Sequence, residues 1–243
     1  MLNLNRIYSL LENKPAKCAL YETIDSTNKK ASLIDIDENE YMLIIAGKQT
    51  AGRGRFKREW HSPEGGLYIS ICLRASQCRF PLTLLSVAGA AALEHYLQSM
   101  SIENLCYRWP NDILAGQLKI GGILSETAGD KVITGIGINL NIADFPSHIK
   151  DTATSVLARR GVRSDPCQCT ASIVNHYLHL KDNPSLIIDY LNNTPFIGRE
   201  INVRTIDSQH RGRVKGFDSS GLLILDTGEE EIKINEGDLE ILR

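Results

Sequence analysis

A loop in the first quarter of the chain combines glycine with a dense group of cations. The segment QTAGRGRFKREWHSP runs from Gln49 to Pro63, and four of the six residues from Arg53 to Arg58 are cationic. Glycine lets a backbone approach a ligand closely, and a guanidinium can donate two hydrogen bonds to a phosphate or carboxylate. A lid that orders over a polyanion would fit this pattern, but composition alone favours a solvated surface loop, and a nonspecific RNA contact is a further alternative.

A second segment places a lysine shortly after a tight turn. RWPNDILAGQLKIGG runs from Arg108 to Gly122, and its Pro-Asn-Asp sequence is typical of a turn in which Asn111 and Asp112 bond to nearby backbone. Lys119, just before two glycines, could contact a phosphate or a carboxylate as a compact point charge. Asp112 could orient an incoming amine. The alternatives are a surface lysine and an aspartate that only caps the turn.

Two shorter motifs carry polar groups that could face a ligand. DSTN, from Asp25 to Asn28, offers short side chains that can cap a helix or hydrogen-bond to a small polar ligand. GIGINLN, from Gly135 to Asn141, lacks the third glycine and the acidic partner of a dinucleotide-binding fingerprint. It is interpreted as a glycine-flanked strand with Asn139 pointing into a site.

The composition restricts the class of protein. The 243 residues include 29 acidic and 27 basic side chains and 42% hydrophobic residues, which fits one large domain or a main domain with a small appendage. The cationic loop is therefore a local feature that addresses a local anion. The six cysteines lack zinc-ligand spacing and are predicted to be reduced, in a cytoplasmic protein without a structural metal. The chain shows neither a signal peptide nor a membrane-spanning apolar run.

The elements that must hold these motifs predict an α+β fold in two domains. Residues 1–193 are expected to form a mixed, mostly antiparallel sheet of hairpins flanked by helices, and residues 194–243 a small β-barrel. Helices are predicted over 6–13, 25–34, 82–100, 151–161, 169–183 and 185–193, with Asp25 or Ser26 as the cap of the second. Strands are predicted over 16–24, 41–50 and 66–76, as hairpins within 104–142, and over 199–206, 210–218, 221–227, 230–236 and 239–243.

The four motifs, in this order, look like those of a biotin–protein ligase. The matching blocks are DSTN, QTAGRGR with the following W.SP and GLY.S, WPND…..K.GGIL.E, and GIGIN.N, and the resemblance extends from about Tyr21 to Arg243. It implies a class II synthetase-like catalytic domain with an SH3-like C-terminal barrel. It also implies that biotin and ATP, with Mg²⁺, form biotinoyl-5′-AMP, from which biotin passes to a lysine of a biotin carboxyl carrier protein domain of a biotin-dependent carboxylase.

The resemblance assigns roles to individual positions. The residues that it implies for biotin are Ser26, Thr27, Asn28, Gln49, Gly52, Arg53, Gly54, Arg55 and Lys119. Those implied for ATP are Arg58, Trp60 and Asn139, and those implied for catalysis are Arg55, Lys119 and Asp112. The chain departs from the common GRGRRGR pattern at Phe56 and Lys57, and it has Arg108 where lysine is common before WPND.

Two other classes of protein compete with this interpretation. A lipoate or octanoate ligase would have a similar core, but the GRGR block with Gln49 favours biotin. A noncatalytic RNA- or nucleotide-binding protein is disfavoured by the acidic net charge and by the lack of an aromatic stacking motif. Only about 20 residues precede the first strand, too few for the DNA-binding domain of some family members, so no DNA-binding role is expected. The resemblance allows a homodimer.

Overall fold

A seven-stranded mixed sheet forms the centre of the larger part of the molecule. The computed structural model describes residues 1–78, 81–205 and 207–242. The strand order is β1-β2-β3-β7-β6-β5-β4, in which β1 and β2 are parallel and all other neighbours are antiparallel. The strands are β1 (Lys17–Tyr21), β2 (Tyr41–Ala46), β3 (Leu67–Arg74), β4 (Leu105–Arg108), β5 (Asp112–Ala115), β6 (Leu118–Ala128) and β7 (Lys131–Ile138). The predicted mixed, mostly antiparallel sheet is confirmed.

Helices flank this sheet, and one of its faces carries the main hydrophobic core. They are α1 (Leu4–Leu10), α2 (Thr27–Ser32), α3 (Leu82–Ser99), α4 (Val156–Arg160), α5 (Pro166–Asp182) and α6 (Pro184–Asn192). The apolar α3 lies across β6 and β7. Gly89 permits close packing there, because a side chain at this position would crowd Ile123 and Thr134. Helix α5 packs on α3 from outside. The opposite face carries α2 and a smaller apolar cluster around Met42 and Ile44, so part of that face remains open.

The C-terminal part forms a second, separate sheet. Its strands are β8 (Glu200–Arg204), β9 (Gln209–Phe217), β10 (Leu223–Asp226), β11 (Glu231–Ile234) and β12 (Asp238–Ile241), all antiparallel in the order β11-β10-β9-β8-β12. The five predicted strands are confirmed, although their pairing within the described residues leaves an open sheet with β11 and β12 at its edges. The predicted strand ends at Ile206 and Arg243 lie outside the described residues, and the domain boundary at 193/194 stays a prediction.

Local capping explains where several predicted elements were wrong in extent. Helix α1 begins at Leu4 because the Asn3 side chain accepts a hydrogen bond from the Arg6 backbone N–H at 2.9 Å, and it ends at Leu10 rather than at residue 13. The helix predicted over 151–161 shortens to Val156–Arg160 because Ser155 caps it. None of the helices in the described residues is long and apolar enough to cross a membrane.

Candidate active site

The floor of the candidate site is the open face of β6 and β7. Alternation along β7 turns Ile136 and Ile138 toward α3, and it leaves Gly135 and Gly137 on the opposite face. Register pairs Gly122 of β6 with Gly137, so a third glycine lies on the same face. The GIGI sequence therefore builds a core on one side of the sheet and a depression on the other.

The first predicted motif forms the polar end of this depression. Ser26 caps α2, its side-chain oxygen accepting from the Lys29 backbone N–H at 3.4 Å, and it also lines the pocket. The backbone N–H and the hydroxyl of Thr27 donate to Gln49 Oε1 at 2.8 and 3.1 Å, and Gln49 Nε2 donates to Ser62 Oγ at 3.1 Å. The capping role and the pocket role, which the sequence left as alternatives, are thus combined at one junction.

Asn28 is held on the pocket floor by three partners. Its Nδ2 donates to the Leu124 carbonyl oxygen at 3.1 Å and to Glu126 Oε2 at 2.8 Å, and its Oδ1 accepts from the Ser70 hydroxyl at 2.6 Å. Gly135 is required here, because a Cβ atom at that position would lie 2.4 Å from Asn28 Oδ1. The amide orientation of Asn28 is therefore fixed.

Each arginine of the cationic loop contacts an acidic side chain. Arg53 donates to Glu126 Oε2 at 3.0 Å. Arg55 Nη2 lies 3.3 Å from Glu236, and its Nη1 lies 3.4 Å from both Asn111 Oδ1 and the Gly237 carbonyl oxygen. Arg58 forms an ion pair with Asp238 at 2.7 Å. The loop is thereby held between the catalytic sheet and the C-terminal sheet.

The ion pair between Arg58 and Asp238 shifts the pKa of both groups. Its hydrogen bonds lower the pKa of the Asp238 carboxyl and raise the pKa of the Arg58 guanidinium.

Between Arg55 and Arg58 the chain turns sharply, and Phe56 and Lys57 have positive φ angles of 53° and 58°. The Phe56 ring lies 4.7 Å from the Arg55 guanidinium carbon, so the departure from the common motif places an aromatic side chain against a loop cation.

The second predicted motif forms the cationic side of the pocket. Asp112, at the start of β5, is 9% exposed and lies 2.6 Å from both Lys119 Nζ and Arg108 Nη2. The contact with Lys119 is an ion pair that lacks hydrogen-bond geometry, whereas the contact with Arg108 is a hydrogen bond. Lys119 Nζ also lies 4.8 Å above the ring centre of Trp60. A carboxylate and an ammonium are therefore held together at one place on the pocket wall.

Trp60 lies flat on the glycine floor. A Cβ atom added to Gly137 would lie 2.7 Å from Trp60 Nε1, and one added to Gly122 would lie 3.1 Å from the ring. The indole N–H is buried and has no hydrogen-bond partner among the described residues. An unpaired buried donor costs free energy, so this N–H is a group that a ligand could satisfy.

Most of the predicted residues meet at one pocket. The predicted residues that line it are Ser26, Thr27, Asn28, Gln49, Arg53, Gly54, Arg55, Arg58, Trp60, Asp112 and Lys119. The described lining does not include Gly52 or Asn139. A Cβ atom at Gly52 would lie 2.3 Å from Ser62 Oγ, so this glycine permits the close passage of the loop. Asn139 Nδ2 donates to the carbonyl oxygens of Lys119 and Thr154 at 3.4 and 2.9 Å, and its predicted contact with ATP stays a prediction.

Four side chains that line the pocket or contact its residues escaped sequence reasoning. Glu126 stands in the quoted GGIL.E block, and its alternation with Gly122 could have placed it on the pocket face. Asn111 belongs to the WPND turn, where it was expected only to bond to nearby backbone. Glu236 lies between β11 and β12 and Asp238 begins β12, and no local pattern links them to a loop about 180 residues away.

The arrangement suits chemistry on anions. Cations from the loop and from β6 surround a depression whose other end presents small hydrogen-bonding groups, so two anionic ligands could be held side by side. Within the described residues, no group of three or more His, Cys, Asp or Glu side chains could hold a metal ion. The fold and the site together suit an enzyme that acts on a small anionic ligand.

Comparison with known proteins identifies the family. Residues 20–143 match the biotin/lipoate A/B protein ligase family, and residues 196–242 match the biotin protein ligase C terminal domain. The chain belongs to the biotin/lipoate A/B protein ligase family, and it is a ligase enzyme. The resemblance to biotin–protein ligases that the four motifs indicated is confirmed.

Two relatives and one solved structure illustrate this similarity. The chain is 34% identical to the bifunctional ligase/repressor BirA of Bacillus subtilis, over 91% of this chain and 73% of that protein. It is 31% identical to the biotin--[acetyl-CoA-carboxylase] ligase of Mycobacterium tuberculosis, over 90% of this chain and 85% of that protein. The structure of biotin protein ligase from Aquifex aeolicus in complex with biotin and ATP superposes with a TM-score of 0.77 and 26% identity, covering 94% of this chain and 99% of that one.

Proposed function

We propose that the chain activates biotin with ATP as biotinoyl-5′-AMP and transfers the biotinoyl group to a lysine of a biotin carboxyl carrier protein domain. One observation carries the proposal. Arg53, Arg55 and Lys119 line the same pocket as Ser26, Thr27 and Gln49. Cations and small hydrogen-bonding groups in one pocket suit a ligand with a carboxylate tail and a polar, uncharged head.

In the first step, a carboxylate oxygen of biotin attacks the α-phosphorus of ATP and pyrophosphate leaves. Both reactants are anions, so their approach is opposed by Coulomb repulsion unless cations are already in place. Arg55 and Lys119 are the groups suited to this task, because both line the pocket and both now contact carboxylates. The substrate carboxylate and phosphate would take over the places that Glu236 and Asp112 occupy beside these cations.

In the second step, the lysine amine of the carrier attacks the acyl carbon, and the bond to the phosphate oxygen breaks to release AMP. Asp112 is suited to orient the amine, because its carboxylate lies at the pocket wall beside Lys119. Trp60, with its unpaired indole N–H, is suited to the adenine side. Loop closure over the acyl-adenylate would keep water away between the two steps.

Magnesium fits this pocket as a partner of the nucleotide. Mg²⁺ commonly binds one or two carboxylates together with substrate phosphates, and Asp112 and Asp238 both line the pocket. When bound, it would neutralise part of the phosphate charge. The protein groups that remain for the α-phosphate are Arg55 and Lys119.

Three further parts of the proposal concern partners and place. The carrier is a domain of a biotin-dependent carboxylase, by analogy with the name of the mycobacterial relative. Six free cysteines agree with the predicted cytoplasmic location. The absence of a DNA-binding role and the formation of a homodimer stay predictions, which band-shift and light-scattering measurements on the full chain would test.

The decisive experiment incubates the purified chain with biotin, ATP, Mg²⁺ and a carrier domain. Mass spectrometry should detect one added biotinoyl group on the carrier, and pyrophosphate should appear with biotin and ATP even when the carrier is left out. A parallel reaction with lipoate separates the nearest rival, since transfer of lipoate would replace the biotin assignment. If neither acid is transferred and calorimetry detects no heat from biotin with or without ATP, the proposal is rejected.

A further inference from the structure

A buried tyrosine outside the pocket holds the turn that carries two pocket residues. Tyr107, in β4, is 2% exposed, and its hydroxyl donates to the Pro110 carbonyl oxygen at 2.6 Å. The Tyr107 side chain is not part of the described pocket lining. Within the described residues, the hydroxyl forms a hydrogen bond only with the backbone of the turn between β4 and β5.

The turn is the direct support of the pocket wall. Pro110 immediately precedes Asn111, which contacts Arg55 at 3.4 Å and bonds through Nδ2 to the Ile123 carbonyl oxygen at 3.1 Å. Asp112 follows and lies 2.6 Å from Lys119. Any displacement of the Pro110 carbonyl would move the Cα atoms of Asn111 and Asp112, and their side chains with them.

Tyr107 is itself fixed from behind. Its ring packs on Tyr190 of α6 at a centroid distance of 5.5 Å, and the Tyr190 hydroxyl donates to Glu94 of α3. Burial raises the pKa of Tyr107, so its hydroxyl remains protonated and acts as a permanent donor. The helical layer thus holds the phenol ring, and the phenol holds the turn.

We propose that Tyr107 is a positioning residue for the transfer of the biotinoyl group, acting through the Pro110 carbonyl on Asn111 and Asp112. The inference rests on the proposed function and concerns the same site. The uncharged head of biotin would meet Ser26, Thr27 and Gln49, which belong to other elements and do not contact the turn, and only its carboxylate would meet Arg55 and Lys119 beside the turn. The larger effect therefore falls on the rate of transfer, and the affinity for biotin changes little.

The test compares Tyr107→Phe with Tyr177→Phe. Tyr177 is a matched control: it is also buried, its hydroxyl lies 2.9 Å from Thr134 Oγ1, and it lies outside the described pocket lining. Each variant keeps its ring and loses one buried hydroxyl, so both should fold and show similar losses in thermal stability. Enzyme loaded with biotinoyl-5′-AMP is mixed with carrier domain, and the single-turnover transfer rate and the KM for biotin are measured.

We expect Tyr107→Phe to slow transfer by about tenfold, because small misplacements of reacting groups are costly, with the KM for biotin within about twofold of wild type. Tyr177→Phe should transfer at about the wild-type rate. Equal rates for the two variants, or a loss confined to the KM for biotin, would overturn the positioning role. Failure of the wild-type chain to transfer biotin at all would instead reject the proposed function, so the two failures are distinguishable.

Discussion

Arg58 and Asp238 join the cationic loop to the last strand through two contacts. The guanidinium nitrogens Nη1 and Nη2 lie 3.4 and 2.7 Å from the carboxylate oxygens Oδ1 and Oδ2. Arg55 also contacts the C-terminal part, through an ion pair with Glu236 just before the last strand. The C-terminal sheet therefore does more than follow the catalytic domain in sequence, because it supplies acidic partners to a loop that would otherwise carry uncompensated positive charge.

Asp238→Asn should loosen the loop. The pair is half-exposed and is worth about 1 kcal/mol or less, so tryptic cutting within residues 53–58 should rise by about two- to fivefold without ligand. Biotin with ATP should suppress the cutting, since the anions replace the lost carboxylate. Glu200→Gln, which breaks the exposed pair with Arg211, serves as the control. Equal cutting of Asp238→Asn and wild-type protein would contradict a holding role for the pair.

The same pair should make stability depend on pH. The pKa of Asp238 is lowered in the folded state from 3.8, chiefly by the hydrogen bond from Arg58. Its contribution is therefore fully present above the unfolded pKa of about 3.9 and is lost as pH falls through the lower folded value. The difference in free energy of unfolding between wild type and Asp238→Asn, about 1 kcal/mol at most near pH 7, should shrink below about pH 4. Urea titrations across this range would show it, and a constant difference would speak against it.

Lys119→Ala should impair the first chemical step. Lys119 is the cation of β6 in the pocket, and loss of one preorganised charge at a developing anion typically costs about 2.7–4 kcal/mol, or about 10²–10³ in rate. Pyrophosphate release measured with saturating biotin and ATP reports this step. The exposed Lys150→Ala is the control for general loss of positive charge. Unchanged pyrophosphate release in Lys119→Ala would remove the lysine from this role.

Arg55→Gly should release the activated acid. The Arg55 side chain is only 16% exposed and contacts both Asn111 and Glu236, so its removal breaks a connection of the loop with the β4–β5 turn and with the C-terminal part. Biotinoyl-5′-AMP should then escape and label lysines of a bystander protein, with a rise on the order of tenfold if about 1.4 kcal/mol of retention is lost. Arg211→Gly removes an exposed arginine of the C-terminal sheet for comparison. Stray labelling at the wild-type level would contradict retention by Arg55.

The sequence predicted those parts of the site that depend on local pattern. Period-two alternation explains why the glycines of GIGI lie together on the open face, and turn chemistry explains the β4–β5 connection that carries Asp112. The same alternation puts Asn139 on the face of Gly137. Its amide nevertheless donates to backbone carbonyls, because residues 152–155 lie beside Lys119 and cover Asn139. Periodicity cannot predict such a contact between distant segments.

The acidic partners of the loop escaped prediction for a related reason. Composition indicated that the loop would meet an external anion, yet Glu126, Glu236 and Asp238 already contact its arginines. A charge pattern indicates that the partner is negatively charged. It does not indicate whether that partner is a ligand or a side chain of the same protein, because this depends on how the two sheets meet. Short apolar runs between turns predicted the five C-terminal strands. Closure of a barrel depends on hydrogen bonding between the two edge strands, which such runs do not predict.

Glu126→Gln should weaken biotin binding. Glu126 Oε2 accepts from both Arg53 and Asn28, so one carboxylate connects the loop with the pocket floor. Its amide analogue keeps the shape but loses the charge, and we expect about a five- to tenfold rise in the calorimetric Kd for biotin, close to 1 kcal/mol for a partly exposed pair. Glu231→Gln, at an exposed pair in the C-terminal sheet, should leave the Kd unchanged. In the double variant with Arg53→Gln, the loss should be smaller than the sum of the single losses because both act on one contact, and strict additivity would show that Glu126 does not act through Arg53.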